Sequence, residues 1–471
     1  MQQGHKFRIY PAPQQASTLL RWIGCQRSIY NAKVGEDRYF RTFARKSLTD
    51  TGEYAPIDQQ YAHFKTDLTP WLSEVPSIVL RNGATLWKQS YGRFFKKLAK
   101  RPMIHKKTGR QSVWITSELF TFIPVINTLT GLTASYRLLI GCKKFPLGEI
   151  KLNAHQAFTP PSSIHVSIQA GRWHISFTND NGLHEVKESD ITQWLASFTE
   201  AELTQATVGI DRGVAIKLAS SNGNDYDFTE NQKARIKHLQ LRKKVYQRRL
   251  ARQTKGSMRR EKTRHHVARI DHKLSDMRHD LAHQASHTIV SDPKVMLIVF
   301  EALKVKNMTA SAKGDAINPG QSVKQKAGLN RSILGAAWGK TLIFTKYKAR
   351  KAAKLCIEVP PHFSSQECSH CGYTHQDNRV SQSAFVCQRC HHSENADRNA
   401  GKVIAGRGVG QILNIGPAGS RNPVAAMQRR LVETQISPLD GSTVQRRKSV
   451  KRETPTTTDN VELWEKSSLN L

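Results

Sequence analysis

Two Cys-x-x-Cys pairs, Cys368 with Cys371 and Cys387 with Cys390, stand 15 residues apart late in the chain. Two such short chelate loops, joined by a hairpin-length segment, can bring four thiolates onto one tetrahedral Zn²⁺. Four sulfurs fill the coordination sphere, so the zinc is expected to be structural, and His391 and His392 are read as bystanders. No apolar run approaches the ~18 residues a membrane helix needs. The opening "MQQGHKFRIYPAPQQ" has no apolar signal core. A cytoplasmic protein is therefore expected, and in that reducing compartment paired cysteines favour metal over disulfides. Cys25, Cys142 and Cys356 are scattered and read as buried small apolar residues.

The charge balance limits the partners. Among 471 residues, Lys and Arg number 72 against 37 Asp and Glu, giving a formal charge of +35. Solubility needs no such excess; a polyanion does, and nucleic acid leads over an anionic membrane surface. The excess is concentrated: residues 231–290 hold 17 Lys and Arg and 4 Asp and Glu. In the same stretch Val267, Ile270, Leu274, Met277, Leu281, Ala285 and Ile289 recur at steps of 3 or 4. That spacing predicts an amphipathic helix with one apolar and one positive face.

Organisation follows from periodicity. "KFRIYP" reads as a strand stopped by Pro11, and the stretch from Gln14 to about Lys100 as helical. Leu80, Leu86, Trp87, Tyr91, Phe94 and Phe95 fall on one helix face and are expected to be core rather than base-stacking surface. Between 110 and 180, short β-branched and aromatic runs such as "SVWIT" and "RWHISFT" predict a β-barrel or sandwich. The helical segment is thus inserted between the first strand and the rest of a β domain. "LTQATVGIDRGVAIKLASSNG" reads as a hairpin, "VMLIVF" as a buried strand ending at Glu301, and "KLCIEVP" as another strand. The polar residues 413–471 read as a mobile tail.

Three acids occupy telling places: Asp211 and Glu301 end apolar strands, and Asp397 opens a helix after the second cysteine pair. An acid at a strand end is more often a cap or a turn residue. Three that converge repel one another unless cations lie between them. Such a set suits two Mg²⁺ ions about 3.5–4 Å apart, which cleave phosphodiesters by activating water and stabilising the leaving oxygen.

"VGIDRGV", "IVFEALKVKNM", "SSQECSHCGY", "FVCQRC" and "ADRNAGKVI", in this order, resemble the TnpB family of insertion-sequence RNA-guided nucleases, relatives of the compact type V CRISPR nucleases. "KFRIYPAPQQ", "GCQRSIYNAKV" and "RHDLAHQAS" support the resemblance, which covers roughly residues 4–410. It implies a multidomain α+β protein: a wedge-like β-barrel (1–13 and 105–200) with an inserted helical recognition domain (14–104). A split RuvC-like, RNase H-type nuclease domain follows (201–363 and 393–412), interrupted by a zinc ribbon (364–392). It implies that Asp211, Glu301 and Asp397 are the catalytic, Mg²⁺-holding carboxylates. It also implies that a guide RNA from the transposon end pairs with double-stranded target DNA, and that cutting helps the mobile element persist.

Two departures concern the last motif. Asn395 stands where the family often has a first Asp, and His391 where a Gly usually follows the cysteines. Glu394 is the alternative third acid. A non-cleaving RNA-guided DNA-binding protein, and a direct transposase or resolvase needing no RNA, are the rival readings.

Overall fold

Strand β1 (Gln2–Tyr10) turns His5, Phe7 and Ile9 inward by simple alternation and stops before Pro11. Helix α1 (Pro13–Tyr39) begins with Pro13 in its first turn, where the missing N–H costs nothing. In this computed structural model residues 2–44, 60–126, 133–180, 182, 186–315 and 318–414 are described. They fall into two units that divide between residues 183 and 184. The segment read as a tail, 413–471, lies outside the described residues from 415 onward.

In the first unit, α1 and α2 (Ser77–Phe95) flank seven antiparallel strands. These are β1, β2 (Gln111–Thr116), β3 (Phe120–Ile126), β4 (Thr133–Cys142), β5 (Phe145–Asn153), β6 (Ser163–Gln169) and β7 (Arg172–Asp180), in the order β2-β6-β7-β1-β5-β4-β3. The sheet curls around aromatic rings. Phe158 lies 5.1 Å from Phe7, 5.1 Å from Phe122 and 5.2 Å from Phe177, centroid to centroid. Leu19, Trp22, Ile23 and Ile29 of α1, with Val79 and Leu80 of α2, join the same core.

The expected barrel does not close. Its two edge strands, β2 and β3, follow each other in sequence yet are unpaired with each other. The reason lies in a helix side chain. Gln26 of α1 accepts from the Trp114 N–H (2.8 Å) and donates to the Trp114 carbonyl (2.8 Å), and Asn82 of α2 donates to the same carbonyl (3.2 Å). Amides from the helices thus satisfy the β2 edge where a neighbouring strand would otherwise bond.

The second unit opens with α3 (Glu188–Leu195) and α4 (Glu200–Gln205). Strands β8 (Thr207–Asp211), β9 (Leu218–Ser220) and β10 (Asp225–Tyr226) follow, then α5 (Glu230–Arg252), α6 (Met258–Ser291) and β11 (Leu297–Glu301). After these come α7 (Val305–Met308), α8 (Val323–Gly335), α9 (Trp338–Lys351) and β12 (Leu355–Val359). The sheet order is β10-β9-β8-β11-β12. β8 pairs antiparallel with β9 and parallel with β11, and β11 pairs parallel with β12. β11 is buried along its whole length, as a central parallel strand requires.

Helices α5 and α6 form an antiparallel hairpin around Leu239, Ile270 and Leu274. Further along α6, Ala285, Ile289 and Val290 pack with Val208, Ile298 and Phe300 of the sheet. The predicted stripe faces inward, with Val267 and Met277 only half-buried. Cys25 and Cys356 are buried as expected, whereas Cys142 is half-buried. The last helix, α10 (Ala396–Leu413), follows the two-stranded ribbon β13 (Ala384–Val386) and β14 (Ser393–Asn395). It seats on β8 at a glycine: a Cβ on Gly209 would collide with the carbonyl oxygen of Gly401.

Candidate active site

The parallel register pairs Ile210 with Phe300, so the next residues, Asp211 and Glu301, leave the sheet side by side at its carboxyl edge. Parallel α/β sheets bind ligands at that edge. Asp397 arrives from another direction, in the first turn of α10. There the helix dipole favours a carboxylate. The cap is Asn395, whose Oδ1 accepts from the N–H groups of Asp397 (3.0 Å) and Arg398 (3.2 Å). Asn caps a helix about as well as Asp, so the departure at 395 keeps the turn intact.

Asp211 feels the other two acids. Burial, followed by the charges of Glu301 and Asp397, pushes the Asp211 carboxyl up to about 7. Burial also raises the Glu301 carboxyl, against the downward pull of the Ser364 hydroxyl and the Arg212 and Arg407 cations. Two of the acids have anchors. Ser364 Oγ donates to Glu301 Oε1 at 2.6 Å, and Arg379 Nη2 donates to Asp397 Oδ1 at 3.2 Å. Like charges held apart in this way do not pack as ligands: among the described residues the carboxylates do not form a set of oxygens within 4.8 Å of one another.

The four cysteines do form such a set. The sulfurs of Cys368, Cys371, Cys387 and Cys390 all lie within 4.8 Å of one another. Cys368 and Cys390 are 3.7 Å apart, and Cys371 and Cys387 3.6 Å. Two sulfurs each about 2.3 Å from a tetrahedral zinc would stand about 3.8 Å apart. A disulfide needs about 2.05 Å. The N–H groups of Arg389 and Cys390 point at Cys387 Sγ, both at 3.4 Å. His391 and His392 lie outside the sulfur set. His391 takes φ +56°, the left-handed region in which glycine is at ease.

Glu394 is occupied elsewhere. Its oxygens meet Lys402 Nζ at 2.6 Å and His392 Nε2 at 3.4 Å. It is also absent from the charges that act on Asp211.

Three buried polar side chains that sequence reasoning passed over hold the arrangement together. Arg212, only 5% exposed, donates from Nη2 to the backbone carbonyl of Glu301 and so ties the ends of β8 and β11. Asn399 accepts from the Ser369 N–H (3.0 Å) and donates to the Glu367 carbonyl (2.7 Å), fastening α10 to the cysteine knot. Asn378 bonds the carbonyls of Gln366 (2.8 Å) and Tyr373 (3.0 Å) and accepts from the Gln388 N–H (2.9 Å), which joins the two cysteine loops. Arg212 and Asn399 stand within motifs quoted above and Asn378 between two of them, but their partners are remote or lie in the backbone.

Three family models match the chain. They are "Probable transposase" over residues 183–312, "Cas12f1-like, TNB domain" over 338–404 and "Helix-turn-helix domain" over 1–34. In this structure residues 2–34 are a strand followed by one long helix. Among curated proteins, a "Putative RNA-guided DNA endonuclease InsQ" from Escherichia coli (strain K12) is 28% identical over 436 residues, covering 90% of this chain and 98% of that protein. A "Putative RNA-guided DNA endonuclease" from Streptomyces pristinaespiralis is 27% identical over 407 residues, covering 86% of this chain and 89% of that protein. Among solved structures, "CasPhi-2 (Cas12j) bound to crRNA" overlaps 89% of this chain and 99% of its own at 13% identity and a TM-score of 0.43.

Proposed function

The chain belongs to the TnpB (OrfB, IS605-type) family, and from that premise we propose that it is an RNA-guided DNA endonuclease whose site is Asp211, Glu301 and Asp397. The observation that carries this reading is the Asp211 carboxyl, pushed up to about 7 by burial and by the charges of the other two. Three acids from three separate elements, Glu301 buried and Asp211 and Asp397 half-buried, with Asp211 raised by burial and by the charges of the other two, make a site that a hard divalent cation relieves. The sheet order, antiparallel through β10-β9-β8 and parallel through β8-β11-β12, supports an RNase H-type nuclease domain.

Mg²⁺ bound by these carboxylates would activate water and neutralise the negative charge that builds on the phosphate. The chain's own residues prepare the site. Ser364 and Arg212 fix Glu301, the Asn395 cap fixes the turn that carries Asp397, and Arg379 holds Asp397 Oδ1. In the hydrolysis a water oxygen bonds to phosphorus, the bond from phosphorus to the bridging oxygen breaks, and the departing alcohol takes up a proton. The four cysteines would hold one structural zinc, since their donor set and spacing fit that ion. The guide RNA, derived from the transposon end, would read sequence by base pairing and leave the cationic surface to hold backbone. We place the protein in the cytoplasm. No helix among the described residues is long and apolar enough to cross a membrane.

Purified protein should be loaded with the element's own RNA and given matching DNA. Cutting should require Mg²⁺ and move when only the guide segment is changed. Asp211→Asn, Glu301→Gln and Asp397→Asn should each abolish it while RNA binding stays within about twofold. Site-specific cutting by RNA-free protein would defeat the proposal in favour of a direct transposase.

A further inference from the structure

The helix face read from sequence as core does not end in the core. Trp87 is buried and Tyr91 half-buried, but Phe95, at the end of the same helix, is 72% exposed. A single exposed phenyl ring is ordinary on a soluble protein. This one stands at the end of an ordered ladder. Trp87 lies 5.2 Å from Tyr91, and Tyr91 lies 5.1 Å from Phe95. Phe94 lies 5.6 Å from Phe95 and carries the Arg101 guanidinium 4.7 Å from its ring centre. The Tyr91 hydroxyl donates to Asp37 (2.5 Å) and accepts from Arg101 (3.0 Å), and Arg41 clamps the same Asp37 (2.9 Å). The ring is therefore held outward by groups whose own positions are fixed.

The segment that follows carries one sign of charge. Residues 93–110 hold eight Lys and Arg and no Asp or Glu. All of them are exposed except Arg101, which is half-buried. The helix terminus itself places one of these cations. The N–H of Leu98 bonds the Arg93 carbonyl and that of Lys97 the Phe94 carbonyl, a C-terminal cap whose left-handed residue is usually glycine. Here that residue is Lys97, at φ +56°. The chain accepts a strained backbone and keeps a positive charge beside the exposed ring.

We propose that Phe95 and the cationic rim around it form a stacking platform for an unpaired base of single-stranded DNA. Cations hold the phosphates on either side while the ring takes the base face. This rests on the proposed function in one respect: guide pairing must first open the DNA duplex. A base freed by that opening loses its stacked neighbour, and an aromatic ring restores a comparable contact. The aromatic face presents no hydrogen-bonding group, so the platform should tolerate any base.

The test uses full-length protein, without and then with guide RNA, and reads binding rather than cutting, so its outcome is separable from that of the nuclease reading. The probe is a short mixed-sequence single-stranded DNA carrying 2-aminopurine. Wild type should quench the fluorophore. Phe95→Ala should bind this strand about tenfold more weakly, with unchanged melting temperature, salt dependence and affinity for the blunt duplex. Phe95→Trp should restore binding and Phe95→Leu should not. Lys96→Ala with Lys97→Ala should instead flatten the salt dependence. Full affinity in both Phe95→Ala and Phe95→Leu would overturn the proposal. So would an equal loss on duplex DNA, a loss confined to RNA of the same sequence, or a change of oligomeric state in Phe95→Ala.

Discussion

A carboxyl that holds its proton to about pH 7 makes the folded protein pay for ionisation, and Asp211 is such a group. Its folded pKa lies above the unfolded value, so the folded state binds the proton more tightly. Metal-free protein should therefore lose stability as pH rises from about 4 to about 7, and no further beyond. Asp211→Asn should remove that loss, and its melting temperature in chelator at pH 8 should exceed wild type. Added Mg²⁺ should raise the wild-type melting temperature more at pH 8 than at pH 5.5, because at the lower pH the ion must displace a proton. A melting temperature independent of pH and of Mg²⁺ would show that Asp211 is not so burdened. Arg212 makes the second prediction at this scale. Removing a buried cation that bridges two strand ends leaves the Glu301 carbonyl without its donor and the Glu301 carboxylate without one of the two cations that act on it. Arg212→Met should lower the melting temperature by several degrees and reduce cutting at least tenfold, with RNA binding intact. Asp211 and Glu301 were legible in sequence because an apolar run that stops at an acid marks a strand end. Arg212 stands beside one of them and was not, because its role depends on a carbonyl contributed by Glu301, far along the chain.

Helix α10 links the cysteine knot to Asp397 in its own first turn. Phe385, Cys368, Cys387 and Ala396 share one small core, so the residue before Asp397 packs directly on the cysteines. Asn399 adds two hydrogen bonds from α10 to the same knot. A zinc-selective chelator should therefore release one zinc per chain and abolish cutting, and Mg²⁺ alone should not restore it. Protein purified without chelator and found free of zinc would refute the assignment of Cys368, Cys371, Cys387 and Cys390. The other side of α10 makes a separate test. Gly209→Ala forces a methyl against the Gly401 carbonyl, one turn beyond Asp397. The expected cost is about 1–3 kcal/mol of stability, with a larger loss of cutting than of binding. The knot was legible because ligand spacing is a local property. The failure of the β-barrel to close was not. Alternating strands in sequence cannot reveal that Gln26, in a helix, will occupy the edge of β2.

Across the whole molecule the charge of +35 and the basic hairpin α5–α6 give affinity without choice. Protein stripped of RNA should bind DNA with little sequence preference, and its affinity should fall steeply with salt. Adding the element's RNA should confine cutting to matching targets; strong sequence preference without RNA would contradict this. The order of elements along the chain has a consequence in time. Asp211 and Glu301 belong to strands made before the cysteine loops, and α10 is made after them. At about 5–20 residues per second, the ribosome completes Asp397 roughly ten to forty seconds after Asp211. During that interval the emerging chain already carries the basic helices α5 and α6 but lacks Asp397. Even once α10 emerges, the cysteine knot that seats it would have to capture the proposed zinc. On the proposed reading, a nascent chain that can grip nucleic acid would lack a complete cutting site until α10 is made and the cysteine loops take up zinc, and a cell starved of zinc would accumulate binders that do not cut.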